Sequence, residues 1–153
     1  FRVFQFSSDN HSLKNISYKR LRKLFIMFIN ALIQIKNAQA AKKETVKLWS
    51  SKNNEVLMKI LADNKYLGGF EKKGRGQKKV IVAKLKYNKE GEPAIKGIKL
   101  ISKPSRHIYK GYKEIKSVKS GYGTLIVSTS KGVVTGTEAK KSKLGGEILF
   151  EIW

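Results

Sequence analysis

Residues 123–132 read Gly-Thr-Leu-Ile-Val-Ser-Thr-Ser-Lys-Gly. The branched aliphatic run suits a strand, because such side chains pack well on a pleated surface. The three hydroxyl residues, the lysine and the glycine that follow are turn formers. Val133-Val134-Thr135 comes next. Thr135 and Glu138 have the spacing of a capping box, in which each side chain satisfies an orphan backbone N–H of the other. A helix of about two turns is expected to run to Lys143, with Gly145 or Gly146 as its C-terminal cap. Residues 147–153 then read as a last strand with Ile148, Phe150 and Ile152 on one face.

The rest of the chain supplies two helices and more strands. Phe28, Ile29, Leu32, Ile33 and Ile35 fit one face of a helix ending near Asn37. Residues 44–49 alternate, with Val46 and Leu48 on one side, as a strand does. Ser50 or Ser51 can cap the next helix, whose apolar stripe is Val56, Leu57, Ile60 and Leu61. Gly68-Gly69 is expected to end that unit. Residues 70–73 and 79–87 read as a hairpin around Gly74-Arg75-Gly76-Gln77. Glu90-Gly91-Glu92-Pro93 is charged, turn-forming and proline-bearing, and makes the best boundary. Beyond it, strands over 95–101 and 108–112 flank a turn at Lys103-Pro104-Ser105, and a short helical turn covers 113–120. The expected fold is α+β, in two small packed modules. The N-terminal one, 27–90, is α-β-α-β-β; the C-terminal one, 91–153, is strand-rich with one short helix. No internal repeat is visible.

Lys and Arg number 33 against 11 acids, for a formal charge of +22 and a pI near 10.2. An excess this large calls for a polyanion or an anionic membrane as partner. The cations are spread along the chain, which suggests basic faces on a folded surface rather than a lone arm. Most are lysines, which favour phosphate charge over bidentate reading of bases. A strand end crowded with hydroxyls and backbone N–H groups can hydrogen-bond sugar, phosphate and base edges together. Charge and hydroxyls together point to structured RNA. With no cysteine, disulfides and thiolate metal sites are excluded. His11 and His107 lie too far apart in sequence to suggest a local ligand pair, and no metal or other cofactor is expected.

Residues 1–26 show no sustained period, and the first residue is Phe. They are expected to be a dispensable, mostly unpacked leader translated from upstream sequence. Removing them takes six basic residues and one acid and leaves +17 on residues 27–153. A basic membrane-associated or secreted protein is the rival reading. Lys19-Arg20-Leu21-Arg22-Lys23 precedes an apolar run at 24–29, and Ala38-Gln39-Ala40 has the form of a signal-peptidase site. Asn30, Gln34 and Lys36 interrupt the way to that site, and the run is far short of the roughly 20 residues a membrane span needs.

Catalytic signals are weak. Ser128-Thr129-Ser130-Lys131 has the S-x-x-K form of penicillin-recognising enzymes, and Ser8-Asp9-Asn10 that of their second motif. Here the second precedes the first and no Lys-Thr-Gly follows. The glycines at 69–76 lack the Lys-Ser/Thr that a phosphate loop requires, and suit a basic hairpin turn instead. Glu147 and Glu151 are expected to be solvated strand carboxylates on one face, and Trp49 and Trp153 to pack in the core or at an edge. Tyr109, Tyr112 and Tyr122 sit among basic or small residues, where a base could stack. No catalytic residue and no small-molecule substrate are expected.

The C-terminal third closely resembles the small-subunit ribosomal protein eight family, bacterial type. The matching residues are Lys103-Pro104, Arg106, Tyr109, Gly121-x-Gly123, Ser128-Thr129-Ser130-Lys131-Gly132, Thr135, Glu138-Ala139-Lys140 and Gly145-Gly146-Glu147 to the end. Ile35-Lys36-Asn37-Ala38 matches the end of the family's first helix, so the likeness covers about 27–153. The resemblance implies two small α/β modules, a place on the cytoplasmic ribosome, and neighbouring small-subunit proteins as partners. It implies binding of a bulged helix in the central domain of small-subunit rRNA early in assembly, and in many members repression of their own messenger. Carried over by motif, the RNA-binding residues are Lys103, Ser105, Arg106, Tyr109, Ser128, Thr129, Ser130, Lys131, Gly132, Gly145, Gly146 and Glu147. The chain departs from the pattern at Ser105, His107, Lys116 and Gly136, where the family has Gly, Arg, Pro and Asp. Ile26-Met27 stands where the family has Asp-Pro.

Overall fold

The computed structural model of the protein describes residues 9–75, 79–103 and 105–153, with side chains from Phe25 onward. The first helix, α1 (Asp9–Ala40), carries Phe25, Phe28, Leu32 and Ile35 on one buried stripe. Their alternating spacing of three and four residues is that of one helix face. The helix therefore begins well ahead of the expected start, and Phe25, in the proposed leader, is in the core. Ile33, expected on the buried face, is 51% exposed.

Strand β1 (Thr45–Trp49) buries Val46 and Leu48 and exposes the residues between. Helix α2 (Lys52–Asp63) is capped by Ser51, whose hydroxyl accepts from the Asn54 N–H at 3.1 Å. Its buried side is Leu57, Met58, Ile60 and Leu61, with Val56 turned outward. The helix ends at Asn64, with Lys65 at a positive φ of 63°. Gly68-Gly69 does not end it; both lie inside β2 (Leu67–Lys73), where the register with β3 (Val80–Leu85) shifts. β2 and β3 form the expected hairpin, and β1 completes an antiparallel sheet of order β1-β3-β2. At the boundary, Asn88 Oδ1 accepts from the N–H groups of Glu90 and Glu92 at 3.0 and 2.7 Å.

The second sheet holds β4 (Ile98–Leu100), β5 (Tyr109–Lys110), β6 (Thr124–Thr129), β7 (Gly132–Thr135) and β8 (Gly146–Ile152). Its order is β4-β8-β6-β7, with β5 also on β8, and every pairing is antiparallel. β4 and β5 are shorter than expected, and two 3₁₀ turns (Tyr112–Glu114 and Lys119–Gly121) occupy the segment after β5. Helix α3 (Gly136–Lys141) has the capping box read from Thr135 and Glu138, but it ends at Ser142 rather than at Gly145 or Gly146.

The fold is thus α+β, and one core joins the two sheets. Ile126, Leu149, Phe150 and Ile152 pack with the buried side chains of α1, α2 and the first sheet. Leu125, Val127, Ile148 and Ala139 form a second, smaller core on the α3 side. Ile148 therefore faces away from Phe150 and Ile152, contrary to simple alternation. Tyr66 stitches the modules: its hydroxyl donates to the Ile152 carbonyl at 3.0 Å, in a buried bond. Tyr66→Phe removes that bond and is expected to lower stability by about 1 kcal/mol in urea unfolding.

Candidate nucleic-acid interface

Register lines several of the sequence-predicted residues across the second sheet. Tyr109 pairs with Glu147, Glu147 with Ser128, and Ser128 with Val133. Paired residues of an antiparallel ladder project to the same face, so Tyr109, Glu147 and Ser128 stand side by side. In the next row Lys110 pairs with Gly146, Gly146 with Thr129, and Thr129 with Gly132. The hydroxyl stretch is thereby resolved into a hairpin whose two-residue tip is Ser130-Lys131, both exposed.

The tip closes with its own groups. Thr129 Oγ1 donates to the Gly132 carbonyl at 2.8 Å and accepts from the Lys131 N–H at 3.3 Å. Gly132 has φ +119°, a conformation side chains rarely adopt. Thr129 is thus committed to the turn. Among the described residues, neither Ser128 Oγ nor Ser130 Oγ has a hydrogen-bond partner, and each can donate and accept.

Gly145 and Gly146, expected to cap α3, do something different. A Cβ on Gly146 would lie 2.1 Å from the Ser128 carbonyl oxygen, and one on Gly145 would lie 2.9 Å from the Lys110 carbonyl oxygen. The two glycines let β5, β8 and β6 approach without side chains between them.

Glu147 is not a solvated strand carboxylate. It is 3% exposed, and its Oε1 lies 2.6 Å from His107 Nδ1, whose side chain is 4% exposed. A buried carboxylate requires a close polar partner. His107 follows the turn at 103–106, which the paired backbone bonds Lys103 N–H to Arg106 O (2.9 Å) and Arg106 N–H to Lys103 O (3.0 Å) close. Ser102, fully buried, accepts from the Ile108 N–H at 3.0 Å. Sequence reasoning missed Ser102; it set His107 aside as a metal ligand and otherwise read it as a departure from a family pattern. The turn formers at 103–105, flanked by two strand-like runs, were the signal that this segment folds back on itself. Lys103, Ser105 and Arg106 are exposed beside this turn, and Tyr109 is 59% exposed; Pro104 lies outside the described residues. Glu147 and Glu151 do not share a face either: they oppose Ser128 and Leu125, three positions apart on β6.

Among the described residues there is no cluster of His, Cys, Asp or Glu that could hold a metal ion. Among the same residues no helix is long and apolar enough to cross a membrane.

The sequence profile of Ribosomal protein S8 matches residues 27–153. The chain belongs to that family. Small ribosomal subunit protein uS8 of Nautilia profundicola is 44% identical over 124 residues, spanning 81% of this chain and 95% of the relative. Its counterpart in Campylobacter hominis is 46% identical with the same coverage, and that of Nitratiruptor sp. is 45% identical over 127 residues. Membership of the S8 family assigns the chain a structural role in the ribosome. The family match begins two residues after the buried Phe25.

Gly146→Ala is expected to cost about 2–3 kcal/mol, because backbone must move to admit the methyl group. Gly132→Ala meets open space and only the positive-φ penalty, about 1 kcal/mol. Urea unfolding of both variants checks the order.

Proposed function

We propose that the chain binds a bulged, irregular helix in the central domain of small-subunit rRNA, early in assembly of the cytoplasmic ribosome. The observation that carries this reading is the hydroxyl hairpin. Ser128 and Ser130 offer uncommitted hydroxyls at a sheet end, beside Tyr109, Lys131 and the turn bearing Lys103, Ser105 and Arg106. A distorted minor groove presents 2′-hydroxyls and base edges that such groups fit, and the lysines supply phosphate contacts. Glu147 acts from beneath, holding His107 and hence the turn; Gly145 and Gly146 set the backbone spacing. Neighbouring small-subunit proteins are the further partners. An irregular stem of the same shape in the chain's own messenger would occupy the same surface, and competition between the two RNAs tests that.

RNA binding resides in residues 27–153, with modules at 27–90 and 91–153. Removal of residues 1–24, which keeps Phe25, is expected to leave affinity for the rRNA hairpin unchanged. Co-sedimentation of the protein with small subunits is the broad test.

The sharper test compares the cognate hairpin with a regular duplex of equal length. Ser130→Ala is expected to weaken the hairpin by about 1–2 kcal/mol, the worth of a lost buried hydrogen bond, and to spare the duplex. Lys131→Ala should weaken both about equally. If Ser130→Ala affects both alike or neither, the hairpin is a plain turn.

Salt supplies an independent check. With about six lysines on phosphate, log K should fall against log salt with a slope somewhat under six. Loss of one such lysine flattens the slope by roughly one unit. An affinity indifferent to salt contradicts the account.

A further inference from the structure

Helices α1 and α2 cover one face of the first sheet; the other is open. Three residues of β1, Thr45, Lys47 and Trp49, point to it, and Trp49 is 68% exposed. Register sets Trp49 beside Val80, and Val80 beside Lys73. The next row is Lys47, Val82 and Glu71. Glu71 is the acid of these rows, and it is bridged to Lys73 at 3.5 Å and to Lys84 at 3.9 Å. The face is therefore a large exposed ring on a half-buried aliphatic floor, rimmed by cations. The basic hairpin end with Arg75 and Lys79 adjoins it, and the Ser50 N–H donates to the Lys79 carbonyl at 3.1 Å.

Nothing in the rRNA-binding reading uses this face, which belongs to the other module. We infer that it is a second RNA contact, taking an unpaired nucleotide stacked on Trp49 with its flanking phosphates on Lys47, Lys73 and Arg75. Exposed indole rings with adjacent lysines suit single strands, because a π-face accepts any base and the cations track the backbone. A duplex keeps its base faces covered and offers the ring nothing to stack on. The surplus of cations over a single, already bridged acid favours RNA over a protein surface.

The chain has two tryptophans, so Trp153→Phe leaves Trp49 as sole reporter. Its emission is followed during titration with an eight-nucleotide uridine oligomer. Quenching on binding is the expected result. Should Trp153→Phe not fold, the difference between wild-type and Trp49→Phe emission carries the same signal. Trp49→Ala is expected to weaken the oligomer about tenfold, the loss of one base–aromatic stack, with Trp49→Phe retaining most of the affinity. Bound oligomer with unchanged Trp49 emission, or undiminished affinity in Trp49→Ala, overturns the proposal and assigns the face to a protein neighbour. Trp49→Ala should bind the rRNA hairpin normally, so this surface and the hydroxyl hairpin stand or fall separately.

Discussion

Leu149 is the extra residue that lets one strand serve two cores. Ile126 pairs with Phe150, yet the next residue, Val127, pairs with Ile148. Without this bulge Ile148, Phe150 and Ile152 would share a face. With it, Phe150 and Ile152 pack against the N-terminal module while Ile148 fills the smaller core toward α3. The same shift carries Glu147 to the face of Ser128 and Tyr109. The joining of the modules and the geometry of the candidate interface thus depend on one local irregularity in β8.

Rigidity at that interface follows from close backbone approach. Where β5, β8 and β6 meet, glycine at 145 and 146 removes the atoms that would hold them apart. Thr129 locks the hairpin tip from within, and the buried His107–Glu147 pair fastens the neighbouring turn to β8. Such a surface presents its remaining hydroxyls with little freedom to lose, which lowers the ordering cost of recognition. Trp49, by contrast, stands on an edge strand with one partner, β3, as a contact tolerant of sequence needs only to be exposed.

Local chemistry made much of this legible. The capping box of Thr135 and Glu138, the cap at Ser51, the β2–β3 hairpin and the alternation of β1 each depend on residues a few positions apart. What escaped the sequence depends on distant partners. The bulge at Leu149 is a property of β6 and β8 together. Glu147 looks like a surface carboxylate until His107, 40 residues away, is brought beside it. Gly145-Gly146 suited a helix cap by position, and only the Ser128 and Lys110 carbonyls reveal why side chains are barred there. The start of α1 was missed because residues 1–26 lack the period by which a helix face is read. Trp49 was assigned to packing on burial tendency, which ignores that a sheet with helices on one face leaves the other open.

The scarce acids complete the electrostatic logic. Hydrogen bonding from Lys72 holds the Glu55 carboxyl below its ordinary range, and the pair clips α2 to β2 at 2.7 Å. Glu71 bridges two lysines, Glu92 braces the inter-module turn, Glu138 caps α3, and Glu147 holds His107. These carboxylates are engaged in local structure, so they offer little compensation to the remaining cations. Self-repulsion among those cations weakens the isolated fold. A bound polyanion relieves it, and ligand binding to the folded state stabilises that state. RNA therefore acts on this protein as more than a docking partner: it supplies the negative charge that the chain's own composition omits.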